Sequence, residues 1–194
     1  MSDAAPEHPG YTFGPSALAT PANAITVARL LAAPVYVLML VAWGASWVNV
    51  VVGFLLAASD GLDGHVARKH GTTRSGAFLD PLADKAVVLG ALFTLAAQGH
   101  LPWLPVGLIA AREAGMQGYR SWVGRNGISI PARPTAKVKT FVQDLAVGVC
   151  IIPPLAHQHD LQLAMIWFAC ALTLYTGAEY MLDGRRAMHA RAAS

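Results

Sequence analysis

Charge is what this sequence has little of. Only 13% of its 194 residues are Asp, Glu, Lys or Arg, while 55% are hydrophobic; an ordinary soluble domain carries about 25% charged residues. The shortage argues against a soluble domain and for a protein that meets lipid. Cysteine is nearly absent too: Cys150 and Cys170 both fall inside apolar stretches and read as reduced thiols, lipid-facing or packed, not as a disulfide or a metal pair. Residues 1–20 hold Asp3 and Glu7 but no Lys or Arg, so they lack the basic start of a signal peptide and read as a polar lead-in. Internal repeats and low-complexity segments are likewise missing. The net charge of +3 does not describe a nucleic-acid surface, because the basic residues fall in short loops between apolar runs.

Those apolar runs dominate the chain. A helix crossing about 30 Å of hydrocarbon takes roughly 20 residues, and six such spans fit: about Ala24 to Trp43, Trp47 to Val66, Ser75 to Ala97, Trp103 to Val123 after a turn at Gln98 to Pro102, Val138 to Leu155 and Leu161 to Leu182. Thr20-Pro21-Ala22-Asn23 offers a turn and cap before the first, and Arg29 within it must snorkel or meet an anion. The second run is purely apolar only as far as Ala58, too short to cross, so its helix is expected to continue and carry Asp60 and Asp63 into the membrane. Arg68 to Arg74 reads as a short basic loop. The expected fold is an all-α integral membrane protein: a polar lead-in at 1–20, a six-transmembrane-helix bundle at 21–183 and a basic tail at 184–194. The turns near Gly44, Gln98 and His157 contain no Lys or Arg, which places both termini and the Asp residues on the cytoplasmic side.

Within Asp60 to Asp84, four carboxylates interrupt this apolar background. Asp60 and Asp63 are three apart and Asp80 and Asp84 four apart, so on helices each pair shares a face. Each costs about 2.5–3.5 kcal/mol to insert into a bilayer, and a bound cation offsets that cost. Only oxygen ligands are offered, apart from His65, so hard Mg2+ or Mn2+ suits the set better than Zn2+. Such ions complete their shells with phosphate oxygens, which points to phosphoryl-type transfer. Gly64, Ala67 and Gly76 allow close approach, and Arg68 can reach a phosphate.

The pattern Asp60-x-x-Asp63-Gly64-x-x-Ala67-Arg68, then Gly76-x-x-x-Asp80-x-x-x-Asp84, resembles the signature of the CDP-alcohol phosphotransferases, membrane enzymes of phospholipid synthesis. The seven residues between Arg68 and Gly76 are one fewer than that family usually has. The resemblance implies a six-helix, homodimeric bundle with a polar cavity open to the cytoplasm, binding CDP-diacylglycerol through two metal ions. It implies Asp60, Asp63, Asp80 and Asp84 as metal ligands, with Asp84 also the general base that deprotonates the acceptor hydroxyl before it attacks the β-phosphorus and expels CMP. CDP-diacylglycerol would be contacted by Thr20, Pro21, Ala22 and Asn23, and by Gly64, Ala67, Arg68, Thr73 and Gly76.

The acceptor must be chosen by the second half of the chain, where Arg112-Glu113, Tyr119-Arg120 and Lys137-Val138-Lys139-Thr140 form a basic group suited to an acidic alcohol such as an alcohol phosphate. This arrangement is similar to that of phosphatidylglycerolphosphate synthases, a branch of the same family, although Ala136 stands where a Gly is expected. The similarity implies Arg112, Lys137 and Lys139 as contacts of glycerol 3-phosphate, phosphatidylglycerol phosphate as the product, and the inner (cell) membrane as the location. Competing readings keep the donor and change the acceptor, to inositol phosphate or to phosphatidylglycerol giving cardiolipin. A different class, a cation or proton transporter, also places Asp clusters in membranes.

Overall fold

The computed structural model describes residues 21–70, 76–125 and 134–192, and every regular element among them is an α-helix. In chain order these are α1 Pro21–Trp43, α2 Trp47–His70, α3 Gly76–Ala97, α4 Trp103–Arg125, α5 Pro134–Ile151 and α6 His159–Ala192. The all-helical expectation and the count of six agree with this. Helix ends differ in places, for reasons the side chains supply. α1 begins at Pro21, so Pro21, Ala22 and Asn23 occupy its first turn and not a turn before it; proline's fixed φ suits that position and its missing N–H costs nothing there. α2 runs to His70, past the expected end near Val66, because Ala67 to His70 contain neither Gly nor Pro. α5 is shifted toward the N-terminus relative to 138–155: Pro134 opens it, and Pro153 and Pro154 cannot extend it. α6 continues through residues expected to form a tail, since no proline interrupts it before Ala192.

The turns between helices are closed by specific groups. Gly44 (φ +53°) and Gly99 (φ +80°) take left-handed backbone at the α1–α2 and α3–α4 turns, where any side chain would be strained. Ser46 Oγ accepts from the Asn49 amide at 3.3 Å, capping the start of α2. The buried Asn49 side chain donates to the carbonyls of Met39 and Gly44 at 3.2 and 2.7 Å, tying α2 to the end of α1.

α1 packs on both α2 and α3, and α6 packs on both α4 and α5. The buried residues of α1, Thr26, Arg29, Ala33, Tyr36 and Leu40, recur at alternating steps of three and four, one stripe of a helix. Arg29 is 4% exposed, so it turns inward and does not snorkel along the surface. Gly53 of α2 makes room for the Tyr36 ring, whose hydroxyl occupies the position a Cβ would need. The outward faces are apolar as well: Leu31, Val35 and Leu38 of α1 and Val51, Phe54 and Leu55 of α2 are all exposed. A helix that is apolar all round suits an apolar surrounding. Thr26–Trp43 and His159–Arg186 are long and apolar enough to cross a membrane; Trp47–Ser59 and Lys85–Ala97 are shorter apolar stretches. Cys150 and Cys170 are free and buried, as expected.

Candidate active site

Two helices joined by residues 71–75 carry the four carboxylates. Asp60 and Asp63 lie in the C-terminal half of α2, about 15 and 10 Å from its end, and Asp80 and Asp84 lie about 6 and 12 Å into α3, at 1.5 Å per residue. Measured along its own helix, each pair thus lies within about 15 Å of the helix end next to residues 71–75. The side chains of residues 60–84 are outside the described residues, as are Thr20 and Thr73. By backbone, Gly64, Ala67 and Arg68 continue α2 and Gly76 opens α3. The donor set is all carboxylate, without thiolate, and its chemistry fits a hard divalent cation.

Immediately after Asp84, the chain places a cation in a described and ordered network. Lys85 belongs to the α3 stripe that continues through Val88, Leu89 and Leu92, and it faces Glu113 of α4. Glu113 occupies the inward stripe of α4 with Val106 and Ile109, where periodicity alone would expect an apolar side chain. Its carboxylate, 5% exposed, holds three cations. Lys139 Nζ of α5 donates to Oε1 at 2.5 Å, Arg112 Nη1 donates to the same oxygen at 2.8 Å, and Lys85 Nζ lies 3.5 Å from Oε2. Lys85 also donates to the Glu113 carbonyl at 3.1 Å and to Gln117 Oε1 at 3.2 Å. A narrow cleft beside this junction is lined by Lys85, Glu113, Lys139, Thr140 and Gln143, with Val88 and Leu89 as its apolar wall.

Arg112 reaches across to α6. Its Nη2 donates to Thr176 Oγ1 at 3.1 Å, and its stem lies against Gly177, where an added Cβ would be 2.8 Å from Nε. Three helices, α3, α4 and α5, thus meet at one carboxylate and α6 joins them through Arg112, while α5 and α6 are further joined by Gln143 donating to Thr173 at 2.8 Å. Of the residues the sequence singles out for an acceptor phosphate, Arg112 and Lys139 come together on Glu113. Lys137 does not join them and is exposed. Two residues along a helix is about 200° of rotation, so Lys137 and Lys139 look in opposing directions, and Lys139 shares the inward stripe with Val142, Gln143, Ala146 and Cys150. Near the end of α4, Tyr119 packs edge-on against Tyr180 at 6.2 Å and Arg120 lies 5.6 Å over the same Tyr180 ring. Sequence reading overlooked the part played by Lys85, Gln117, Thr176 and Gly177. The one signal available for Lys85 was its helical register with the apolar Val88, Leu89 and Leu92.

Comparison with known proteins bears on this arrangement. The family described as CDP-alcohol phosphatidyltransferase matches residues 19–175. A protein of Mycobacterium tuberculosis named probable phosphatidylglycerophosphate synthase is 38% identical over 183 residues, covering 91% of this chain and 87% of that protein. The CDP-diacylglycerol–glycerol-3-phosphate 3-phosphatidyltransferase of Rickettsia bellii is 30% identical over 165 residues, covering 81% and 91% respectively. The protein of the same name from Haemophilus influenzae is 29% identical over 164 residues, covering 81% and 89%.

Proposed function

The chain belongs to the CDP-alcohol phosphatidyltransferase family and is an enzyme of that class, and from that premise we propose that it transfers the phosphatidyl group of CDP-diacylglycerol to glycerol 3-phosphate, releasing CMP and forming phosphatidylglycerol phosphate. Membership in an enzyme family retires the transporter reading. The observation that carries the choice of acceptor is the gathering of Lys85, Arg112 and Lys139 around Glu113, directly following Asp84 on α3. Cations held at that level attract an acceptor that brings a phosphate and disfavour an uncharged alcohol; inositol phosphate and phosphatidylglycerol bring one too, and what separates glycerol 3-phosphate from them is the naming of the relatives. The names of the relatives, which specify glycerol 3-phosphate, support the same acceptor.

Each residue then has a task. Asp84 takes the proton of the acceptor hydroxyl, and the freed oxygen attacks the β-phosphorus of the donor. The bond from that phosphorus to the bridging oxygen breaks, and CMP leaves with the bridging oxygen. Arg68 pairs with the diphosphate, Gly64, Ala67 and Gly76 let it approach the helices, and Thr73 with Thr20 to Asn23 contacts the CDP moiety. Asp60, Asp63, Asp80 and Asp84 would hold Mg2+ or Mn2+, as two ions, which neutralises diphosphate charge and orients attacker and leaving group. Arg112 and Lys139 hold the acceptor's phosphate, with Lys137 at the outer edge. The reading includes a six-span homodimer in the inner (cell) membrane, with its polar cavity and both termini cytoplasmic. Charge supports that orientation: the turns near Gly44, Gln98 and His157 carry no Lys or Arg.

The test uses the full chain in phospholipid nanodiscs with radiolabelled CDP-diacylglycerol and, separately, glycerol 3-phosphate, inositol phosphate or phosphatidylglycerol. Phosphatidylglycerol phosphate and CMP are expected with glycerol 3-phosphate. Product with either other acceptor and none with glycerol 3-phosphate overturns the assignment.

A further inference from the structure

We propose that Glu113 is a positioning residue for the acceptor's phosphate, and that Lys85 is a further member of the set of cations that receives it. The inference rests on the functional reading above and deepens it. Three observations carry it. First, Glu113 is nearly fully buried and fixes nitrogens from three places at once: Arg112 and Lys139 share Oε1, while Lys85 faces Oε2 and is held in addition by the Glu113 carbonyl and Gln117. A carboxylate that served only to join two helices would need one cation, because a buried pair gains little from further charges that must themselves be desolvated.

Second, Glu113 gathers three nitrogens of like charge at one place, an arrangement whose chemistry suits an anion. A phosphate monoester, at a charge of about −1.5 to −2 near neutral pH, is of the right kind. Third, a narrow cleft with space for about one water opens beside the group, lined by Lys85 and Lys139 with the side chains of Thr140 and Gln143, and it leaves the Lys85 side chain 24% exposed. Lys85 follows Asp84 on the same helix, so a phosphate taken up here is brought to the level of the residue that would accept the hydroxyl proton. Glu113 itself touches no substrate. It acts by keeping Lys85, Arg112 and Lys139 at fixed separations, so that the phosphate meets a preformed receptor and does not have to gather flexible side chains.

Steady-state kinetics of the full chain in nanodiscs test this with Glu113→Gln, Glu113→Asp and Lys85→Gln, varying each substrate in turn and using inorganic phosphate as a competitor of the acceptor. Glu113→Gln is expected to raise the KM for glycerol 3-phosphate and the inhibition constant of phosphate by about tenfold or more, the scale of one charge-assisted hydrogen bond. The KM for CDP-diacylglycerol should be unchanged, Glu113→Asp should restore part of the loss, and Lys85→Gln should raise the acceptor KM alone. A role confined to holding helices together would move both KM values, or the melting temperature, without that split. Both constants unchanged in Glu113→Gln and Lys85→Gln overturn the inference while the acceptor assignment stands. If Glu113→Gln does not fold, Lys85→Gln decides the matter. If the wild type makes no product from glycerol 3-phosphate, the acceptor assignment falls and this inference with it.

Discussion

At Gly177 the stem of Arg112 takes the space that a Cβ would fill, with Nε 2.8 Å and Cγ 3.3 Å from that position. Gly177→Ala should favour the helix by up to about 1 kcal/mol, yet push Arg112 away from Thr176. The expected result is an acceptor KM raised by about tenfold, as when a charged hydrogen bond is lost, with no fall in melting temperature from weakened helix. An unchanged acceptor KM would show that Arg112 does not depend on this seat. Asp84→Asn belongs to the same scale. It should lower turnover by about a hundredfold to ten-thousandfold, the usual contribution of a general base, while CDP-diacylglycerol still binds. Retained turnover would refute its role as the base. The identity of these side chains was plain in the sequence for Asp84 and Arg112 and hidden for Gly177. A glycine in an apolar run looks the same whether it faces lipid or a guanidinium, and only the neighbouring helix distinguishes the two.

Among the elements, the α1–α2 hairpin shows how a short turn is held in a chain with few polar groups. Asn49 is fully buried and its amide donates to two carbonyls, those of Met39 and Gly44, at the end of α1. Gln98 adds a donor to Leu40 O at 3.1 Å, so the turn after α3 also satisfies that helix end. Asn49→Ala removes both hydrogen bonds that its side chain donates to the carbonyls of Met39 and Gly44 and should cost about 1–3 kcal/mol. Thermal unfolding in detergent should show a lowered midpoint with the acceptor KM unchanged; no change in the midpoint would mean that other groups close the turn. Helix existence was legible because each run had the length and apolarity of a helix. Helix ends were less so: α5 was expected four residues too late because Pro134 was read with the preceding loop, although proline is favoured in a first turn.

For the whole molecule, the carboxylates on α2 and α3 and the cations on α3, α4 and α5 divide the proposed chemistry between donor and acceptor halves. Chelation by EDTA should abolish CMP release, and added Mg2+ or Mn2+ should restore it, because phosphate-bearing substrates and carboxylates both call for a hard ion. Activity that persists after exhaustive chelation would remove the divalent ion from the mechanism. Composition, run length and residue spacing along one chain sufficed for the helical class and for the residues available for chemistry, and the motif from Asp60 to Asp84 carried the resemblance to the family. Helix packing was needed to show that Lys139 points inward and Lys137 outward, that Arg29 is buried, and that Lys85, Arg112 and Lys139 share Glu113. These depend on how one helix is rotated against its neighbours, and that rotation is set by packing between residues such as Arg112 and Gly177, 65 positions apart in the chain. Spacing within a single helix fixes which residues share a face, but the partner of that face comes from elsewhere in the fold.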